Sequence, residues 1–141
     1  MTADDNVGLV RRYFAALDRG DLDALDDLFS PDCRIHRPGL AAPLTGLAAI
    51  RQVVANAKAR YRTLSTEIEM IFGAGDRVAC RATHRVIMAG EWPTRIGTFD
   101  VPGKPLTWHP IVLFRIEGGR IAEEWVCRDE LGMLIDLGVL T

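Results

Sequence analysis

From Val7 to Tyr61 the apolar positions recur at helical spacing, and from Thr66 onward they tend to alternate. Asp4 or Asp5 can cap a first helix that carries Val7, Val10, Phe14 and Leu17 on one side, and Gly20 closes it. Asp21 can cap a second short helix with Leu22, Leu25, Leu28 and Phe29. Pro31 turns the chain into a short strand over residues 33–36, which ends at Pro38-Gly39. A third helix is predicted over residues 47–61, with Ile50, Val53, Val54 and Ala57 on one side.

Strands follow. Residues 66–72 alternate, Gly73-Ala74-Gly75-Asp76 turns the chain, and residues 77–88 form a long strand. Residues 90–103 hold Trp92, Pro93 and Pro102 and read as a strand with a loop. Residues 106–116 and 121–127 form a last hairpin, and Asp129 caps a final helix with Leu131, Leu134 and Leu137 facing inward. Helices first and an antiparallel meander afterwards predict a single α+β domain over residues 1–141, its helices on one face of the sheet. A sheet curled around those helices encloses a cavity on its concave side, the natural ligand site.

Gly118-Gly119 sets the last hairpin, and its turn decides which side chains share a face. A three-residue loop, Glu117-Gly118-Gly119, pairs Ile116 with Arg120 and places Val112 opposite Glu124, Phe114 opposite Ala122 and Pro110 opposite Val126. The other face then gathers Ile111, Leu113, Ile121 and Trp125, with His109 opposite Cys127. A two-residue Gly-Gly turn instead pairs Val112 with Trp125. The three-residue form is preferred because it leaves one uniformly apolar face, suited to a dimer, and one mixed face suited to a pocket wall.

Composition narrows the classes. A net charge of -2 gives no electrostatic reason to expect nucleic acid or an acidic membrane. No apolar run approaches a membrane span and no signal peptide opens the chain, so a cytoplasmic protein is expected. Cys33, Cys80 and Cys127 are odd in number and widely spaced, which predicts free, buried thiols. Cys33/His36 and Cys80/His84 do not have zinc-motif spacing, and no metal is expected.

The run Phe114-Arg115-Ile116, then Gly119-Arg120-Ile121-Ala122-Glu123-Glu124-Trp125, resembles the SnoaL-like polyketide cyclases of the nuclear-transport-factor-2-like superfamily. Asp129, Leu131-Gly132-Met133-Leu134 and Leu137-Gly138-Val139 continue the likeness, as do Phe29-Ser30-Pro31-Asp32 with His36 and Pro38, and Gly103-Lys104-Pro105-Leu106-Thr107-Trp108. The resemblance implies a cone-shaped, strongly curved, mostly antiparallel sheet wrapped around three N-terminal helices, with a short C-terminal helix. It also implies a deep apolar pocket, a homodimer and no cofactor. Cyclases, ketosteroid isomerases, dehydratases, epoxide hydrolases and non-catalytic binders share the fold, so the site residues must decide the function.

Those positions depart from the relatives. The cyclases' histidine corresponds to Val112 and their acid–base aspartate to Val126. The ketosteroid-isomerase base falls at Arg37, and its hydrogen-bonding acid at Val112. For an epoxide hydrolase Arg81 could supply the cation, but Thr83 and Val126 occupy the places of the acids.

Three side chains remain as candidates for proton transfer. His36 ends the first strand, at the mouth of the expected pocket, with a pKa naturally suited to a general base. Glu124 is the one hairpin carboxylate expected on the concave face, where desolvation should raise its pKa. His84 lies on an apolar strand stripe with Cys80, Ala82 and Val86, and either face of that strand could be concave. Asp129 is explained by its capping position.

Phe14, Tyr61, Met88 and Trp108, with Val112 and Val126, are expected to line a cavity for a small apolar molecule such as a polyketide or terpenoid. The expected activity is a cofactor-independent cyclisation or isomerisation by proton transfer beside a carbonyl, through His36 and Glu124. A non-catalytic binder, favoured by Val112 and Val126, is the rival, and a dehydratase using His84 is a third reading.

Overall fold

A computed structural model describes residues 2–140 of the chain. Helix α1 (Ala3–Arg19) is capped by Thr2, two or three residues ahead of the expected aspartates. The Thr2 hydroxyl accepts from the Asp5 backbone N–H while the Asp5 carboxylate accepts from that of Thr2, so two orphan donors are satisfied reciprocally. Gly20 ends the helix in the left-handed conformation that glycine adopts without penalty. The second helix shrinks to one turn, α2 (Leu25–Leu28), because Phe29 already belongs to strand β1 (Phe29–His36). Pro31 therefore does not force a turn. It sits where the pairing of β1 is interrupted between Phe29 and Arg34, so its missing N–H breaks no ladder.

After the short β2 (Leu44–Thr45), helix α3 (Leu47–Arg60) hands over directly to a strand longer than expected, β3 (Tyr61–Ala74). Strand β4 (Arg77–Met88) follows. The segment read as a strand with a loop is a separate hairpin, β5 (Glu91–Thr94) and β6 (Gly97–Asp100). His109-Pro110 splits the next strand into β7 (Pro105–Trp108) and β8 (Ile111–Glu117), both paired with β4. Strand β9 (Arg120–Cys127) and α4 (Glu130–Asp136) complete the chain. The main sheet runs β2-β1-β9-β8-β4-β3 and is antiparallel except where β1 lies parallel to β9.

The fold is the expected α+β cone, with the helices inside the curve of the sheet. Leu9, Val10, Tyr13 and Phe14 of α1 pack with Ile50 and Val54 of α3 against Cys80 and Ala82 of β4 and Val112 and Phe114 of β8. A second apolar cluster joins Met88, Trp92, Leu106 and Trp108 to Met133, Leu134 and Leu137 around α4. Leu131, expected inward, is instead exposed, and Met133 takes its place in the core. Asp129 caps α4 by accepting from the Gly132 N–H.

The last hairpin corrects the expected register. Its turn is the two-residue Gly118-Gly119, closed by Glu117 opposite Arg120, and both glycines have positive φ. A bulge follows, because Ile121 pairs with Ile116 while Glu123 pairs with Arg115, leaving Ala122 extra. Beyond it Phe114 faces Glu124, Leu113 faces Trp125, Val112 faces Val126 and Ile111 faces Cys127. This register differs from the preferred one by two residues, so Glu124 and Val126 keep their concave side and Trp125 its convex side. Ile121 lies on the core side of the bulge and is buried there rather than on the outer face. Among the cysteines Cys33 and Cys80 are buried and free, while Cys127 is exposed.

Candidate functional site

Inside the cone lies an open-mouthed cavity of about 410 Å³, a size suited to a small organic ligand. Phe14, Tyr61, Trp108, Val112 and Val126 line it. Met88 does not: it is buried in the cluster around α4. Glu124 and His84 both reach the cavity, and the concave face of β4 is thereby the one bearing His84. Arg81, on the other face, is exposed and remote from a concave site.

His36 is not at the mouth. It stacks on Trp125 with rings 4° from parallel and centroids 5.3 Å apart. Its Nε2 lies 2.6 Å from Glu123 Oε2. Arg115 also donates to Glu123, and Arg34 stands nearby, forming a cluster on the convex side. Burial opposes ionisation of Glu123, but the His36 and Arg115 hydrogen bonds and the Arg34 charge together hold its carboxyl below the usual range. The cause of the misplacement is parallel pairing of β1 with β9, in which Ile35 lies beside Glu124 and His36 beside Trp125.

Glu124 is almost entirely buried, and its Oε1 has no hydrogen-bond partner among the described residues. Arg37 Nη1 stands 3.9 Å from that oxygen, too far for a hydrogen bond. Burial pushes the Glu124 carboxyl up, against the opposing Arg37 charge and hydrogen bonding from Tyr13. The Tyr13 phenol is pushed well up by burial and by Glu124, so it remains a protonated donor. A carboxyl raised by burial at a cavity wall is the kind of group that functional sites use for proton transfer.

His84 is held by a chain of polar groups absent from the sequence reading. Thr66 donates its backbone N–H to Asp18 Oδ2 at 2.8 Å and its hydroxyl to Asp18 Oδ1 at 2.6 Å. The same hydroxyl oxygen lies 2.9 Å from His84 Nδ1. With its one proton given to Asp18, Thr66 must accept from Nδ1–H, which leaves the Nε2 lone pair free. The imidazole lies between Phe14 and Trp108, with ring centroids at 6.1 and 5.1 Å. Burial, reinforced by Arg128 and Arg37, pushes its pKa down to about 4. His84 is thus a neutral acceptor at pH 7. Asp18 and Thr66 are far from His84 in sequence, and the only available signal was the alternation that pairs Thr66 with His84 across β3 and β4.

The cavity is less apolar than the sequence suggested, since Arg37, Arg60, Arg95 and Arg128 all line it. Arg95 of the β5–β6 connection pairs with Glu130 of α4 at the mouth. No group of acidic, histidine or cysteine side chains suited to a metal ion occurs among the described residues.

A SnoaL-like domain matches residues 10–124, most of the chain and nearly all the elements that build this cavity. The chain belongs to the SnoaL-like family. It is 31% identical over 125 residues to an uncharacterized protein of Mycobacterium tuberculosis, covering 86% of each chain. Among solved structures it is similar to TsrD from Streptomyces laurentii, with TM-score 0.85 and 25% identity over 99% of both chains. It is likewise similar to IdmH from Streptomyces antibioticus, described as a candidate polyketide cyclase, with TM-score 0.81, 26% identity and coverage of 94% and 98%. The family carries a small enzyme-type, ligand-binding fold, and no helix among the described residues is long and apolar enough to cross a membrane.

Proposed function

We propose that this protein is a cofactor-independent enzyme of the cyclase or isomerase type, acting by proton transfer on an apolar, carbonyl-containing metabolite. The observation that carries the reading is Glu124, a buried carboxyl with an unpartnered oxygen at the wall of a ligand-sized cavity. Leaving such a group unsatisfied costs stability, and functional sites are where that cost is commonly retained.

In the proposed step the Glu124 carboxylate removes a proton from the carbon beside the substrate carbonyl, leaving an enolate. In an isomerase Glu124 returns that proton to another carbon. In a cyclase the enolate carbon bonds to a second carbonyl carbon, and the resulting alkoxide takes the proton from Glu124. Hydrogen bonding from Tyr13 would stabilise the ionised base, and nearby guanidinium groups the enolate. His84, neutral with a free Nε2, is the second proton acceptor, and a dehydratase reading would rest on it. His36 has no part, because it lies on the other side of the sheet.

IdmH's description as a candidate polyketide cyclase supports this class. The competing reading, a binder without catalysis, is favoured by Val112 and Val126, which pair as hydrocarbon in the wall where cyclases carry titratable groups. Deuterium exchange at carbon beside the carbonyl of a bound aromatic ketone such as 2-tetralone, followed by NMR, separates the two. Exchange that is catalysed by the wild type and lost in Glu124→Gln supports the enzyme; binding without accelerated exchange supports the binder.

We also propose a homodimer through the convex face. Met70, Phe72, Ile111 and Leu113 there are roughly half exposed, beside Trp125, and such an apolar patch fits a second copy of the same sheet. A cytoplasmic location is consistent with the absence of a membrane-spanning helix among the described residues.

A further inference from the structure

The cavity holds more positive charge than the chain neutralises. Four arginines line it, Arg37, Arg60, Arg95 and Arg128, against two carboxylates, Glu124 and Glu130. Glu130 is taken by Arg95, which donates from Nε at 2.8 Å, while Arg128 Nη2 is 3.5 Å away. Arg128 Nε is buried and has no hydrogen-bond partner among the described residues. The carboxylate nearest Arg37 is Glu124, at 3.9 Å. Neither guanidinium thus has a close, well-formed fork partner.

Both line the same cavity as His84. Burial and the Arg37 charge push the Arg128 pKa down, and Tyr61 and Glu130 oppose that shift without cancelling it. Two partly buried like charges, one of them with a buried donor left vacant, oppose folding unless something answers them. Glu124 does not answer both, since it stands 3.9 Å from Arg37 and, among the described residues, forms no ion pair with Arg128. An arginine fork has planar donors in the geometry that a carboxylate accepts in bidentate fashion. Around the two guanidiniums the wall is apolar, with Phe14, Leu64, Trp108, Val112 and Val126.

We propose that the ligand of this cavity is an apolar carboxylate, its ring or chain body against the aromatic and valine wall and its carboxylate held by Arg37 and Arg128. The proposal rests on the reading of this cavity as the ligand site, and extends it from an apolar metabolite to an amphipathic monoanion. Placing the carboxylate there orients the rest of the molecule past Glu124 and His84.

The test is calorimetric binding of 2-naphthoate and its neutral isostere 2-naphthamide at pH 7.5 and low salt. The acid is ionised there, and the two differ little in apolar surface. The carboxylate should bind roughly ten- to a hundredfold more tightly, the range expected of charge-assisted hydrogen bonds in a partly buried site. Arg37→Gln and Arg128→Gln should each reduce that preference about tenfold or more without weakening the amide. Arg128→Lys, which keeps the charge but loses the fork, should recover only part of it. A melting curve on each variant establishes that it is folded.

Equal binding of acid and amide overturns the carboxylate clamp while leaving the apolar site intact. A preference that survives in both glutamine variants also overturns it. Failure of both probes to bind overturns the cavity reading itself along with the clamp.

Discussion

His36 and Glu124 stand on opposite faces of one pair of parallel strands: Ile35 lies beside Glu124 and His36 beside Trp125. Adjacent residues in a strand point to opposite sides, so no side-chain rotation brings the imidazole to the carboxyl. His36→Ala should therefore leave turnover within about twofold of wild type. It removes the Trp125 stack and a partner of Glu123, and should lower stability by about 1 kcal/mol. Thermal melting and turnover on the same preparations check this; a hundredfold loss of turnover with an unchanged melting point would return His36 to the mechanism.

Glu124→Gln is expected to separate stability from activity in the other direction. Burial raises the native carboxyl's pKa above its unfolded value, so the ionised form opposes folding at high pH. That opposition is relieved as pH falls through the native pKa toward the unfolded one. Glutamine never ionises, so the variant should be more stable than wild type at pH 8 and nearly equal to it at pH 4. Proton-exchange turnover should fall about 100- to 10,000-fold. Melting temperatures across that pH range decide the matter, and a variant less stable at pH 8 would show that the Tyr13 and Arg37 interactions outweigh desolvation.

His84 should mark the acid limb of the stability curve. Its native pKa is pushed down to about 4 from 6.5, so the unfolded chain takes up the proton first. Stability is unaffected by this group above pH 6.5 and is lost as pH falls from there toward 4. At about 1.36 kcal/mol per pKa unit the full loss is roughly 3 kcal/mol. His84→Asn, which retains a donor for Thr66, should flatten this limb in denaturant titrations at several pH values. An unchanged slope in the variant would mean that other groups dominate acid unfolding.

Leu113→Glu should disrupt the proposed dimer. Leu113 is exposed on the convex face opposite Trp125, and a carboxylate there would be buried against a second copy without a partner. Light scattering at low micromolar concentration should find wild type dimeric, and the variant's dimer dissociation constant raised at least about tenfold. A monomeric wild type would refute the proposal directly.

Local patterns in the sequence determined a good deal here. Helical spacing located α1 and α3, Gly20 and Asp129 marked helix ends, and alternation located β4 and the final hairpin. Alternation also put Glu124 on the concave face and Trp125 on the convex one, an assignment that survived a register error because that error was two residues. These are short-range properties, encoded in side chains a few positions apart.

What the tertiary structure decided was long-range. The bulge at Ala122 moved Ile121 into the core, and parallel pairing of β1 with β9 sent His36 outward, since neither a bulge nor a strand partner has a local signature. Asp18, Thr66 and His84 come from a helix and two strands, so their polar chain exists only after α1 docks on the sheet. The arginines at the cavity looked like ordinary surface charge in sequence. Curvature of the sheet brought Arg37 and Arg128 to one cavity, and burial there left the Arg128 Nε donor without a partner.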